Sequence, residues 1–305
     1  MTAPAEAWGE QDLRAYMFAV AYRMLGSVGE AEDVVQDALL KMHTAGGEVR
    51  SPKAYAATVT ARLALDELRS ARVRRERYVG TWLPEPLLTG PEHDPAERVE
   101  LAESLSAAFL VVLETLSPVE RAVFLLRDVF DLPYGEIARV VDRTEANCRQ
   151  LAARARRHVA ERRPRFDPPA ERRDELVRQF FAACEAGDVG GLERMLAEDV
   201  VFYGDGGGRG PAVREPVRGP LRVARFMLGL TRQAARFGLR LEPAEVNGSP
   251  GVRVLDPSGG VVNVLSLDVV DGRVAVLRSV VNPDKLRHLG PLSDLLPAPG
   301  GAGPG

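Results

Sequence analysis

The residues whose types and spacing could do chemistry concentrate in one stretch, DLPYGEIARVVDRTEANCRQLAARARR, from Asp131 to Arg157. Arg and Gln side chains can each make two hydrogen bonds to a base edge, and a run of arginines suits phosphates. Here Glu145, Asn147, Arg149 and Gln150 fall on the outward positions of a helix's first turns, and Arg154, Arg156 and Arg157 follow. Cys148, Ala152, Ala155 and Val159 recur as an inward stripe. Thr144 stands where its hydroxyl can cap a free amide of that helix. Before the tight turn at Asp142-Arg143, the residues Tyr134, Ile137, Ala138 and Val141 form the apolar face of a first helix. This pattern fits a helix-turn-helix whose second helix enters a major groove. An ordinary pair of surface helices with solvated arginines would look much the same, because such signatures are loose.

Other chemistries have less to stand on. The two cysteines, Cys148 and Cys184, make neither a disulfide framework nor a zinc site. Cys148 sits in the apolar stripe, which favours a small buried hydrophobe over a redox sensor. The DGGGR run, Asp205, Gly206, Gly207, Gly208 and Arg209, could let amides approach an anion, but no Lys-Ser/Thr follows to make a Walker A loop. It reads as a permissive loop beside a strand. An acid-base enzyme needs paired groups in an apolar pocket, and the candidates are Tyr203, Asp205 and His288. No catalytic residue, cofactor or metal is expected. The chain of 305 residues has room for two or three domains, and 45% hydrophobic with 27% charged residues is globular. Its net charge of -3 gives no support to nucleic-acid binding, so basic residues count only where they cluster. No apolar run reaches the roughly 18 residues of a membrane span, and MTAPAEAWGEQDLR has no signal-peptide core. No membrane is expected as a partner, and the expected location is the cytoplasm.

The elements around the motif are legible in order. Residues 11 to 25 read as a helix carrying Leu13, Tyr16, Met17, Val20 and Met24 on one side. Ser27 to Glu30 is a capping box for a helix to about His43, which buries Ala31, Val34, Val35, Ala38, Leu39 and Met42. Its other face carries Asp33, Gln36, Asp37 and Leu40, and an exposed Leu beside two acids suggests either a docking face or a plain solvated one. Ser51-Pro52 opens a long helix to about Tyr78, ending in LRSARVRRERY with Arg69, Arg72, Arg74, Arg75 and Arg77. That density suits a phosphate backbone or a solvated helix end. Val79 to Glu97 holds Pro84, Pro86, Pro91 and Pro95 and reads as an extended linker. A free linker has no use for Trp82, Leu83, Leu87 and Leu88, so it is expected to dock. Ala96 to Glu114 reads as helix, and Ser117 to Glu120 is a second capping box.

Beyond a hinge at Arg163 to Pro169, helices at Arg172 to Ala186 and Leu192 to Leu196 precede the strand DVVFYG. A helix from Pro220 to Phe237 and strands near LRLEPAEV, GVRVLD, VVNVLSLDVV and RVAVLRSVV follow, with turn signals at Asn247-Gly248, Ser258-Gly259-Gly260 and Asp271-Gly272. Helices followed by an antiparallel meander give an α+β domain. The Pro- and Gly-rich tail, 290–305, is expected to be disordered.

The segments AEDVVQDALLKMH, SPKAYAATVTARLALDELRS and LSPVERAVFLLRDVFDLPYGEIARVVDRTEANCRQLAARARR resemble the two domains of extracytoplasmic-function sigma factors, in order and spacing, over residues 10 to 163. Asp142 departs from the Gly often found in the turn, and Asp tolerates a left-handed backbone. The second half is similar to the SnoaL-like, nuclear-transport-factor-like (NTF2-like) cone. With WLPEP (Trp82, Leu83, Pro84, Glu85, Pro86), DGGGR and NPDKL (Asn282, Pro283, Asp284, Lys285, Leu286), the chain resembles the sigma-J-like group, sigma factors fused to a SnoaL-like extension. The resemblance implies two all-α sigma domains followed by an α+β cone, divided as 1–78, a linker 79–97, 98–163 and 170–289. It implies core RNA polymerase and promoter DNA as partners. Asp33, Gln36, Asp37 and Leu40 would dock on the clamp helices of the largest subunit, and the flap would be a further contact. The loop Thr44 to Ser51 and the helix from Pro52, with Arg62, Arg69, Arg72, Arg74 and Arg75, would melt and read the −10 element. Arg143, Thr144, Glu145, Asn147, Arg149, Gln150, Arg154 and Arg157 would read the −35 element. WLPEP, DGGGR and NPDKL would form an interdomain regulatory contact. SnoaL-like domains include polyketide cyclases and isomerases, so an enzyme and a small-molecule sensor are the alternatives for the second half.

Overall fold

The computed structural model describes residues 10–44, 51–76, 78–89, 106–162, 170–209 and 211–296. The chain divides into two units, Met1–Glu76 with Val112–Arg163, and Arg77–Val111 with Pro164–Gly305. Residues 79–89, the described part of the expected linker, fall in the second of these units.

The first unit is helical. Helices α1 (Glu10–Leu25), α2 (Val28–Thr44) and α3 (Pro52–Glu76) pack around Met17, Val35, Ala38 and Ala56. The Ser27 hydroxyl accepts from the Glu30 amide at 3.2 Å, starting α2 where the capping pattern requires. Alanines 56, 57, 61 and 64 of α3 are fully buried, and their small side chains let neighbouring backbones come close. The expected helix at Ala96 to Glu114 is described from α4 (Ala107–Glu114), its earlier residues lying outside the described set. Helix α5 (Pro118–Phe124) opens on a full capping box between Ser117 and Glu120, with Pro118 at its first position. It continues into a π-helical turn, Leu125–Val129, which the sequence pattern did not announce. Helices α6 (Tyr134–Val141) and α7 (Glu145–Arg162) follow. Asp142 between them has φ 53° and ψ 59°, the left-handed conformation that Asp adopts at modest cost.

A polar network ties α1 and α3 to the α4–α5 corner. Arg121, 1% exposed, contacts Glu114 through Nη1 and donates Nη2 to the Arg23 carbonyl at 3.1 Å. Arg75 reaches the other Glu114 oxygen at 2.5 Å and the Leu25 carbonyl. Burial alone would raise the Glu114 carboxyl; the two guanidiniums outweigh it and hold the group below its ordinary value.

The second unit is built on one sheet. Helix α8 (Ala170–Ala186) and the short α9 (Val189–Met195) lead into β2 (Leu196–Asp205), with β3 (Val217–Arg218) and α10 (Pro220–Arg236) after it. Strands β4 (Arg240–Val246), β5 (Ser249–Leu255), β6 (Val261–Val270) and β7 (Arg273–Val280) form the expected antiparallel meander. Positive φ at Asn247 and Gly248, and at Asp271 and Gly272, makes the two-residue hairpin turns possible. With β1 at Leu88–Thr89, the sheet order is β1-β4-β5-β6-β7-β2-β3, with β2 parallel to β7. Register shifts in β2, β5–β6 and β6–β7 bend the sheet around α8 and α10. Phe180, Leu192, Val223, Leu267 and Leu277 fill the space between, all at 0% exposure.

One expectation is extended here and one corrected. Strand β1 (Leu88–Thr89) is linker sequence, and it pairs with β4, Leu88 opposite Val246 and Thr89 opposite Glu245. The tail is also ordered as far as Leu296. The start of β6 leaves backbone groups free, and Val261 donates to Pro291 while accepting from Ser293. Leu296 is buried beside them. Residues 297–305 lie outside the described residues.

Candidate functional site

On α7 the cap and the stripe fix which side chains look outward. The Asn147 amide donates to the Thr144 hydroxyl at 3.2 Å, and Cys148, Leu151, Ala152, Ala155 and Val159 are buried. Burial raises the Cys148 thiol above its ordinary value, consistent with its packing role. Arg143, Thr144, Glu145, Arg149, Gln150, Arg154 and Arg157 are exposed, and Asn147 is half-buried. Arg149 bonds Glu145 at 2.7 Å and lies 5.2 Å from the centre of the Tyr134 ring. Arg154 is 3.6 Å from Glu120, and Arg156 holds Asp128 at 2.8 Å. The outward face therefore carries exposed donors and acceptors held in local ion pairs.

On α2, Asp33, Gln36 and Asp37 are exposed, and Leu40 shows 66% of its surface. The arginines of α3 divide. Arg69 is exposed beside Asp66, and Arg62 is exposed with Nη2 on the Arg139 carbonyl at 2.6 Å. The side chains of Arg72 and Arg74, and the loop 45–50, lie outside the described residues. Arg75 departs from the phosphate expectation: its guanidinium faces inward to Glu114 and Leu25, with 13% of the side chain exposed. Glu114, which Arg121 also pairs, draws it there, and the acid's distance along the chain hid this from sequence reading.

The three short motifs meet in the second unit, around Asp205. This residue ends β2 at 0% exposure. Its Oδ2 accepts from the Leu83 amide and from Lys285 Nζ, each at 2.8 Å. Its Oδ1 accepts from Tyr78 and from the Gly207 amide. Lys285 also donates to the Leu83 carbonyl, and its Nζ lies 4.3 Å from the centre of the Trp82 ring. Both backbone groups of Leu83 are thus held by one ion pair. Asn282 donates Nδ2 to the Tyr78 oxygen at 2.8 Å, and His288 meets the Pro86 carbonyl at 2.8 Å. Burial first, and then the neighbouring Asp205, push the Tyr78 phenol far above its ordinary value. Leu83, Pro84 and Pro86 are buried; Trp82 and Glu85 are half-buried. Pro283, Lys285 and Leu286 are buried, and Arg209 pairs with Asp284 at 3.2 Å. A Cβ on Gly207 would stand 2.4 Å from Asn282, and one on Gly208 would stand 3.0 Å from Val79, so the loop's glycines permit close approach. Gly206 is buried beside them.

Sequence reading missed Tyr78, which looked like a helix end, and Asn247, which looked like a turn residue alone. Asn247 holds Leu87 from both sides, accepting at Oδ1 and donating its amide. The apolar LL after WLPEP was the available signal for a strand.

A cavity of about 260 Å³ opens between α10 and the concave face of the sheet. Tyr203, Asp205 and His288 are absent from its lining. Asp205 and His288 are instead engaged with the linker, so the acid-base set weighed from sequence does not assemble in the pocket.

A capped helix-turn-helix, a preceding three-helix bundle and an α+β extension holding the linker define a class: the chain belongs to the extracytoplasmic-function (ECF) RNA polymerase sigma factors. The family model for Sigma-70 region 2 matches residues 11–74, and that for Sigma-70, region 4 matches residues 106–159. The chain is similar to the ECF RNA polymerase sigma factor SigJ of Mycobacterium tuberculosis (strain ATCC 25618 / H37Rv), with 40% identity over 306 residues, covering 95% of this chain and 96% of that one. It is 34% identical over 279 residues to the probable ECF RNA polymerase sigma factor SigI of Mycobacterium tuberculosis (strain CDC 1551 / Oshkosh), covering 90% and 93% of the two chains. The crystal structure of SigJ superposes with a TM-score of 0.74 at 38% identity, over 92% of this chain and 98% of that one. The protein is therefore an alternative sigma factor, a transcription regulator whose family binds core RNA polymerase and promoter DNA. Among the described residues no helix is long and apolar enough to cross a membrane.

Proposed function

We propose that this sigma factor reads its promoter through α7 and α3 and is restrained in cis by the clamp on its linker. Arg143, Thr144, Glu145, Asn147, Arg149, Gln150, Arg154 and Arg157 serve the −35 element, whose TGTCA-like sequence is what the family resemblance suggests. Arg62 and Arg69, with Arg72 and Arg74, serve a CGTC-like −10 element captured as single strand, where stacking and phosphate contacts offset unstacking. Asp33, Gln36, Asp37 and Leu40 dock on the clamp helices of the largest polymerase subunit, the flap gives a second contact, and the work is done in the cytoplasm without a cofactor.

The observation that carries the cis restraint is the buried Asp205–Lys285 pair, which closes on the Leu83 backbone. A linker that must span two promoter-reading domains at a fixed separation is here committed to the C-terminal unit. Covalent attachment gives this contact an effective concentration of about millimolar, so even a modest affinity holds. The test is run-off transcription with core polymerase by the full chain, by chains ending at Val281 and at Arg163, and by Trp82→Ala. Ending at Val281 should loosen the restraint, while ending at Arg163 also removes any supporting contact. Equal transcription by all four, with Trp82 fluorescence unchanged on truncation, would remove the clamp from the mechanism. The sensor reading of the second half is favoured over the enzyme by the cavity, whose lining lacks an acid-base pair.

A further inference from the structure

We infer that the cavity is a receptor for a neutral, mostly apolar small molecule bearing one hydrogen-bond acceptor, and that its occupancy is felt at the linker clamp through β2 and β7. The second half of this inference rests on the cis restraint proposed above; the first half does not.

The volume, about 260 Å³, lies just below the range of roughly 300–1,000 Å³ found for small-molecule sites, so the guest must be small. The wall is aromatic and aliphatic, with Phe181, Phe202 and Phe226 prominent. Its polar members are Thr231, Gln233, Asn263 and Ser279, and among the described residues no Asp, Glu, Lys, Arg or His lines it. A carboxylate or phosphate entering such a site would lose its hydration without gaining a counter-charge, which is strongly unfavourable. A ketone, ester or alcohol would not. Ser279 donates to Asn263 Oδ1 at 3.0 Å, so the pair presents the Asn263 amide nitrogen as a donor to an oxygen of the guest.

The route to the clamp is one residue long. Alternation along a strand sends neighbouring side chains to opposite faces. On β2, Gly204 lines the cavity and Asp205 holds the linker. On and after β7, Ser279 and Val281 line the cavity, while Asn282 holds Tyr78. The Asp205 carbonyl accepts from the amides of both Val281 and Asn282, at 2.8 and 3.1 Å. A guest that presses on Val281 therefore moves the two residues that grip the linker.

The test uses the full chain and the neutral fluorescent probe N-phenyl-1-naphthylamine. Saturable enhancement is expected, reversed by octanol but not by octanoate at neutral pH. Ala234→Phe fills the cavity from α10 and should weaken the probe at least about tenfold; Asn263→Leu should weaken octanol by about fivefold, the factor for one net hydrogen bond. Retained circular dichroism and thermal midpoint in both variants ensure that lost binding is not lost folding. In a Trp8→Phe background, octanol should shift Trp82 emission, and Ala234→Phe should abolish that shift. No saturable enhancement, equal competition by octanoate, or undiminished binding in Ala234→Phe would overturn the receptor. Binding with an unmoved Trp82 would overturn the coupling. The truncations and Trp82→Ala described above address the clamp without any ligand, so its failure and that of the receptor are separable.

Discussion

Arg149 on α7 and Lys285 beyond β7 each face a carboxylate at nearly the same distance, 2.7 Å to Glu145 and 2.8 Å to Asp205. Their surroundings differ completely. The side chains of Arg149 and Glu145 are 57% and 50% exposed, whereas those of Lys285 and Asp205 are 7% and 0% exposed. An exposed pair contributes about 0–1 kcal/mol, and water or a new partner can replace either member. A buried pair cannot release one member without leaving an uncompensated charge. The first pair suits the proposed role of its surface, in which Arg149 would exchange Glu145 for a base edge or a phosphate. The second suits a contact that holds or lets go as a whole, because the Leu83 backbone and Tyr78 are bound to the same two side chains and Asn282 holds Tyr78 in turn.

The strongest way to test that contrast is to break the buried pair. Asp205→Ala strands Lys285 and removes the acceptor of the Leu83 amide and of Tyr78. A loss of about 3–5 kcal/mol is expected in denaturant unfolding of the C-terminal unit, with faster proteolysis in the linker. Lys285→Met added to Asp205→Ala should recover part of it, since no charge is then left buried. A single-variant loss below about 1 kcal/mol would mean that the two pairs are energetically alike.

Arg121→Ala is the next in size, about 2–4 kcal/mol in the helical unit, because Glu114 keeps Arg75 as a partner. The pH dependence follows from the lowered Glu114 carboxyl. Its folded value lies below the unfolded one, so its contribution is complete above the unfolded carboxylate range and disappears as pH falls through the lower folded value. Arg121→Ala should move that acid loss to higher pH. An unchanged acid limb would show that Glu114 is not the titrating group.

How far the sequence anticipated these two sites follows from the range of the interactions that make them. The α7 surface is written in local signals: Thr144 as cap, Cys148 to Val159 as stripe, and Asp142 in a left-handed turn all act within a few residues. WLPEP could be recognised as docked, because a Trp amid prolines is poorly served by water. The partners that complete the clamp were harder to see. Tyr78 and Asp205 are 127 residues apart, and no local rule joins them. Arg75 failed for the same reason, since an arginine in a basic run looks solvated until a distant acid is brought to it. The ordered tail to Leu296 was masked by composition: Pro and Gly suggest disorder, yet Pro291 and Ser293 supply the bonds that Val261 lacks.

Tyr78 gives a smaller and more specific test of the clamp. Its phenol is raised, so its contribution is complete below the ordinary tyrosine value near pH 10 and disappears only as pH rises through the folded value. Ultraviolet titration of the native chain and of Tyr78→Phe should therefore overlap up to about pH 11, because Tyr78 contributes no phenolate there. A missing phenolate signal near pH 10 in the variant would show Tyr78 to be accessible. Tyr78→Phe itself should cost about 1–2 kcal/mol, since Asp205 Oδ1 retains the Gly207 amide.

Arg149→Ala should have the smallest effect on stability and the most selective effect on function. Its ion pair with Glu145 is solvent-screened and its guanidinium is exposed, so unfolding free energy should change by no more than about 0.5 kcal/mol. If Arg149 reads bases, the loss at the promoter is about 1–3 kcal/mol and confined to one or two positions of the −35 element. Binding of the polymerase holoenzyme to a panel of single-base −35 variants measures this directly, with the wild-type preference flattening at those positions alone. A phosphate contact predicts a different result, a uniform loss across the panel and a salt dependence shallower by about one unit of slope. A destabilisation approaching that of Asp205→Ala would erase the distinction drawn here, because it would make the Arg149 pair part of the fold rather than a surface held ready for exchange.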